Sequence, residues 1–315
     1  MKKVLSFLFL FMFSFVLVSC SKTENTNIVS TCFAGYDFSR AVAKDLKTTS
    51  MLLKPGQELH NYSPSVGEIE KILDSEIFIY IGGESDSEWV EEQILPSIDK
   101  NKTKVINMME VIKASGSIYD EEDPESSVAE EDCEEVESDE HIWNSISNAK
   151  IIIEEICKVL KEIDDENKTA YENNKNEYIN KLDQLDTKIK GIDNLGSKPL
   201  IFADRFPLLY FVKEYNLSYD AAFKGCATSK EANASTISSL INKIKDNDVK
   251  VIFVIELSES KIANTIIKEL KNDKYEVAKL TFYSMHNVSK DDFKSGKTYV
   301  DFMEENYKSL IEAYK

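Results

Sequence analysis

Short apolar runs rich in Val, Ile and Phe recur along this chain of 315 residues, each followed by a stretch with helical periodicity. That alternation constrains the fold more than any single motif. Strands interleaved with helices pair in parallel and bury both faces of a sheet. Residues 27–33, 76–81 (EIFIYI) and 104–108 are predicted strands, and residues 37–46, 66–74 and 88–95 are predicted helices between them. The pattern breaks after residue 118 and resumes after Gly191. There PLIFADRF, VKVIFVIE and EVAKLTFYS read as strands, residues 235–245 and 260–270 as helices, and residues 300–314 as a closing helix. The expected fold class is α/β, with two lobes, each a mainly parallel sheet flanked by helices.

Between the lobes the sequence is helical but polar. Ile152, Ile156, Val159, Leu160 and Ile163 share one helical face. Asp164-Asp165-Glu166-Asn167 interrupts it, and a second helix follows with Tyr171, Tyr178, Leu182, Leu185 and Ile189. A long polar helix is what a connector between two lobes looks like, although a surface helix packed on one domain reads the same way. The expected boundaries are 28–166 for the N-terminal lobe, 167–192 for the linker helix and 193–315 for the C-terminal lobe.

The first residues are a targeting segment. Lys2-Lys3 precede an apolar run, 4–18, too short for a comfortable transmembrane helix. The run ends in Leu17-Val18-Ser19-Cys20, which resembles a bacterial lipobox. Residues 1–19 are therefore expected to be a lipoprotein signal peptide, Cys20 the lipidated residue, and 20–27 a tether. The remainder is expected to be an extracytoplasmic body, anchored to the cell membrane by lipid and monomeric. A net charge of -18 argues against a nucleic-acid partner and suits attraction of cations. Cys32, Cys133, Cys157 and Cys226 show no CxxC spacing, so a zinc–thiolate site is not expected, and the sequence assigns no disulfide.

Three histidines are candidates for chemistry: His60, His141 and His286, all in polar stretches. His60 follows the turn signal Pro55-Gly56 and precedes Ser65-Val66-Gly67-Glu68, a capping box opening a helix. His141 closes an acidic run, 119–140; from Asp120 to Glu140, 13 of 21 residues are Asp or Glu. Such a run repels itself and cannot bury enough apolar surface to fold, so it reads as a mobile acidic loop. It is either an antenna collecting cations beside the site or a solvated insert.

Laid end to end, STCFAGYDFSRAVA, KPGQELHNYSPSVGEIEKILDSEIFIYIGG, EHIWNSISNAKIIIEEI, the helix around KTAYENNKNEYINKLDQLD, FADRFPLLYFVKEYNLSYDAAF and YSMHNVSKDDFKSGKTYVDFMEENYKSL resemble the metal-binding solute receptors of bacterial ABC importers, the ZnuA/TroA-like family. The resemblance implies two lobes joined by a rigid helix with a metal site in the cleft, and His60 and His141 as ligands. It also implies that Ala203 stands where the family has a third ligand. His286 is then the candidate replacement. Asp204 is the first candidate for a closing carboxylate, Glu256 the second and Glu58 the third. Arg40 and Arg205, the only arginines, fall in family-like stretches and read as structural ion pairs supporting the site or as chance.

The function this implies is capture of zinc outside the membrane and delivery to an ABC permease, without catalysis. Three imidazoles suit Zn2+ better than a hard ion. A manganese or iron receptor of the same family is the alternative. A surface adhesin (cell adhesion) and a zinc-dependent hydrolase are alternatives of other classes. No HExxH motif supports the hydrolase, and no adhesive repeat supports the adhesin.

Overall fold

The structure is a computed structural model, and it describes residues 26–57, 62–120, 138–223 and 234–315. The signal segment with Cys20, the stretch holding Glu58 and His60, most of the acidic run with Cys133, and Cys226 lie outside the described residues.

Two four-stranded sheets form the body, and every pairing in both is parallel. In the N-terminal lobe the order is β2-β1-β3-β4, from β1 (Ile28–Ser30), β2 (Thr49–Met51), β3 (Ile77–Tyr80) and β4 (Lys104–Asn107). In the C-terminal lobe it is β6-β5-β7-β8, from β5 (Leu200–Phe202), β6 (Tyr219–Ala221), β7 (Val251–Ile255) and β8 (Ala278–Phe282). The lobes thus share one topology, and in each the strand order reverses beside the first strand. Open α/β sheets bind ligands at that crevice, beyond the carboxyl ends of the strands.

The helices cover both faces. In the N-terminal lobe they are α1 (Phe33–Ala43), α2 (Val66–Asp74), α3 (Met108–Ser115) and α4 (Ile146–Ile163). The connector is α5 (Lys168–Lys190), and the C-terminal lobe carries α6 (Leu209–Glu214), α7 (Ala234–Asp246), α8 (Lys261–Asn272), α9 (Lys290–Ser295) and α10 (Tyr299–Ala313). The capping box expected at Ser65 and Glu68 is formed at the start of α2. The strand expected over 27–33 stops at Ser30, because Cys32 adopts an extended N-cap conformation and α1 begins at Phe33. The helix expected over 88–95 is a short α-turn followed by a wider π-turn, Val90–Ile94.

Alternation along the C-terminal strands separates two cores. Phe202, Phe253 and Phe282 face one way, with Phe282 edge to face against the other two, whereas Ile201, Ile252 and Val254 face α7 and α8. The first set is continuous with the N-terminal core through Trp143, Leu182, Leu185, Tyr299 and Phe302. The connector therefore does not bridge through solvent: its apolar stripe is buried and packs on α1, α4 and α10. No described helix is long and apolar enough to cross a membrane.

Candidate metal site

The residues ending the acidic run depart from the loop expected there. Asp120 and Ser138 form an antiparallel bridge, and Asp139 and Glu140 are buried, 2% and 3% exposed. The chain then turns through His141 into a 3-10 helix, Ile142–Asn144, and α4, which Ser145 caps by accepting from the Asn148 amide. The C-terminal lobe clamps this segment. Tyr210 donates to the Asp139 carbonyl at 2.9 Å, Asn144 donates to the Pro207 carbonyl at 2.8 Å, and the Glu214 carboxylate accepts from the Ile146 amide at 2.7 Å.

His141 is fully buried, so its polar sequence surroundings do not make it a solvated loop residue. Its Nδ1 lies 3.0 Å from Asp139 Oδ1, which also accepts from the His141 amide at 2.8 Å. A protonated Nδ1 donating to that carboxylate leaves Nε2 as the nitrogen that would face a cation. A carboxylate behind an imidazole orients metal-binding histidines in this way.

His286 arrives from the other lobe. After β8 the chain passes through Met285, in the left-handed region at φ 56, and this turns it at the sheet edge. Glu256, at the exit of β7, holds the turn. Its carboxylate accepts from the Ser284 amide at 2.8 Å, the Ser284 hydroxyl at 2.7 Å and the His286 amide at 3.2 Å. Burial raises the Glu256 pKa, and the Ser284 bonds oppose that rise. On the opposite side Trp143 Nε1 donates to the Ser284 carbonyl at 2.9 Å. The imidazoles of His141 and His286 meet edge to face, with ring centroids 5.0 Å apart.

Glu140 completes the cluster. One ligand atom each from Glu140, His141 and His286 lie within 4.8 Å of one another, and all three residues are buried. The Glu140 carboxylate is gripped at the exit of β3, where the Ser85 amide donates to Oε2 at 2.9 Å and the Ser85 hydroxyl also donates. Gly83 makes room for it, since a Cβ there would fall 2.4 Å from Glu140 Cβ. The same loop is built on Asp86, which accepts from Thr31 Oγ1 and from the Ile81 and Gly82 amides. Burial pushes the Asp86 pKa up to about 7, and the nearby Glu140 charge adds to the rise. Asp139 and Glu140 set buried acidic groups beside two imidazoles, a setting in which a divalent cation is electrostatically favoured.

Of the residues expected from sequence, His141 and His286 come together. His60 and Glu58 lie outside the described residues. Asp204 and Glu256 lie outside the cluster. Asp204 Oδ1 accepts the amide of its neighbour Arg205 at 2.9 Å in the turn after β5, and Glu256 accepts from the Ser284 and His286 amides. Glu140 was not expected. Its one sequence signal, adjacency to His141, is masked by the acidic run. Of the two readings open for Arg40, an ion pair is present, with Asp37 at 2.5 Å. Cys32 and Cys157 are free and buried, and burial pushes the Cys32 thiol up to about 12.

Two parallel α/β lobes, a helix packed between them, and histidines from both lobes meeting beyond the strand ends define a two-lobe fold with a candidate metal site between the lobes. The chain belongs to the ZnuA family, described as zinc-uptake complex component A, periplasmic, whose model matches residues 28–313. It is 29% identical over 322 residues to the zinc-binding lipoprotein AdcA of Streptococcus pneumoniae, covering 98% of this chain. It spans only 60% of the length of AdcA. It is 28% identical over 303 residues to the high-affinity zinc uptake system protein ZnuA of Bacillus subtilis, covering 93% of this chain and 89% of that protein. Among solved structures, the Zn(II)-bound ZnuA-like domain of S. pneumoniae AdcA superposes with a TM-score of 0.70 at 26% identity, covering 92% of this chain and 98% of the domain.

Proposed function

We propose that this protein is an extracytoplasmic zinc receptor that captures Zn2+ between its lobes and delivers it to an ABC-type permease. The observation that carries this reading is the meeting of His141 and His286, one from each lobe, with Glu140 alongside. Two imidazoles and a carboxylate are a borderline donor set that suits Zn2+. His60, three residues beyond Gln57, is the fourth donor in this reading. The metal is cargo, so the site's task is reversible capture and not activation of a water. The zinc-binding names of the relatives support the same cargo. The lipobox-like Cys20 supports lipid anchoring. Manganese would require a harder, more oxygen-rich set than two buried imidazoles provide.

The test is a competition titration with zinc and manganese on the wild type, His141→Ala and His286→Ala. Wild type is expected to take up one tightly bound zinc and to prefer it to manganese. Each variant is expected to lose at least 100-fold in zinc affinity, beyond the roughly 10–100-fold typical when a residue supporting a metal ligand is lost. Wild-type affinity in His141→Ala, or preference for manganese, would overturn the reading.

A further inference from the structure

The His286 turn is tied to the N-terminal lobe by its next residue. Asn287 is 6% exposed, and all of its amide is used. Oδ1 accepts from the Val288 amide at 2.6 Å, inside its own turn. Nδ2 crosses between the lobes and donates to the carbonyls of Lys54, at 3.2 Å, and Gln57. A backbone bond runs beside it, from the Gly56 amide to the Val288 carbonyl at 2.9 Å.

The receiving turn is built for this contact. The Gln57 amide donates to the Lys54 carbonyl at 2.9 Å, Pro55 occupies the second position, and Gly56 sits at φ +82. That is a type II turn, in which the third residue needs a positive φ and glycine adopts it without strain. Such a turn is stiff, so its two carbonyls present a fixed acceptor pair to an approaching amide.

His286 belongs to the C-terminal lobe, whereas His141 and Glu140 belong to the N-terminal lobe. The distance between the two donor groups therefore depends on whatever fixes the His286 turn to the opposite lobe. Trp143 does so on one side, through Ser284, and Asn287 on the other. We propose that Asn287 is a positioning residue that sets how long the cation is held, by pinning the His286 turn to the turn at 54–57. The proposal rests on the cleft reading above for its zinc arm only.

Asn287→Asp separates this role from a purely local one. Aspartate keeps the Oδ1 acceptor for Val288 but cannot donate, and it turns a charge toward two carbonyls. Asn287→Ala removes the tie without adding charge. Hydrogen exchange of the metal-free protein should show faster exchange at the Gly56 amide in both variants. A chelator chase of bound zinc should show dissociation faster by about 10–100-fold, the loss typical of a residue that supports a metal ligand, with association little changed. Unchanged Gly56 exchange would overturn the tie. Faster exchange with unchanged zinc release would overturn the positioning role. A wild type that binds no zinc would overturn the function proposed above, while the exchange arm would still test the tie.

Discussion

At the scale of the residue, the site turns on Glu140. Its carboxylate is held by Ser85, so in the proposed site a cation beside His141 would meet an oxygen donor that is already oriented and desolvated. Glu140→Gln keeps the shape and a carbonyl oxygen donor but removes the charge, and is expected to weaken zinc binding at least about 10–100-fold, the loss typical even of a residue that only supports a metal ligand. The check is the same competition titration with circular dichroism as a folding control. Unaltered affinity would remove Glu140 from the site. Sequence pointed to His141 and His286 because histidine is rare in this chain and the family-like stretches surround them. It could not single out Glu140, because burial of one carboxylate among 13 acidic residues depends on Gly83 and Ser85, more than 50 residues away. Glu256 and Asp204 were legible as acidic residues at strand exits. That Glu256 reaches the Ser284 and His286 amides, about 30 residues away, is a tertiary fact.

At the scale of the element, Asp37 on α1 joins three helices. It is 1% exposed, and its carboxylate accepts from Tyr178 of α5 at 2.6 Å and from the Tyr299 amide at the start of α10 at 2.8 Å, while pairing with Arg40. Burial, and then the Asp37 charge, hold the Tyr178 phenol well above its usual pKa, so it stays a donor. Asp37→Ala strands a buried phenol, an amide and a guanidinium, and should cost about 3–5 kcal/mol. Tyr178→Phe removes one bond to a charged acceptor and should cost about 1.5–3 kcal/mol. Urea denaturation of both variants measures the order, and an Asp37→Ala loss no larger than that of Tyr178→Phe would contradict this role. Long elements with a strong apolar period, such as α4, α5 and β7, were legible in the sequence. The edge strands β2 (TSM) and β6 (YDA) were not, because three half-buried residues carry no period. The six-residue helices α6 and α9 were missed because fewer than two turns carry no helical period, yet α6 supplies Tyr210 and Glu214 to clamp the His141 segment.

At the scale of the whole molecule, two lobes of one topology share a continuous core instead of meeting across a thin hinge. Relative domain motion is the default only when the interface is small or polar, so large opening is not expected here. In the proposed function, capture and release would then depend on the turns at the cleft, chiefly those carrying His286 and residues 54–57, which are hydrogen-bonded to each other. The central claim is that zinc sits where the lobes bring His141 and His286 together. The most direct measurement is a crystal structure of the zinc-loaded protein with anomalous scattering recorded at the zinc edge. The account expects one strong peak at about 2.0–2.1 Å from a ring nitrogen of both His141 and His286, the usual zinc–imidazole distance. A peak bound elsewhere, with these two imidazoles turned away from it, would contradict the account.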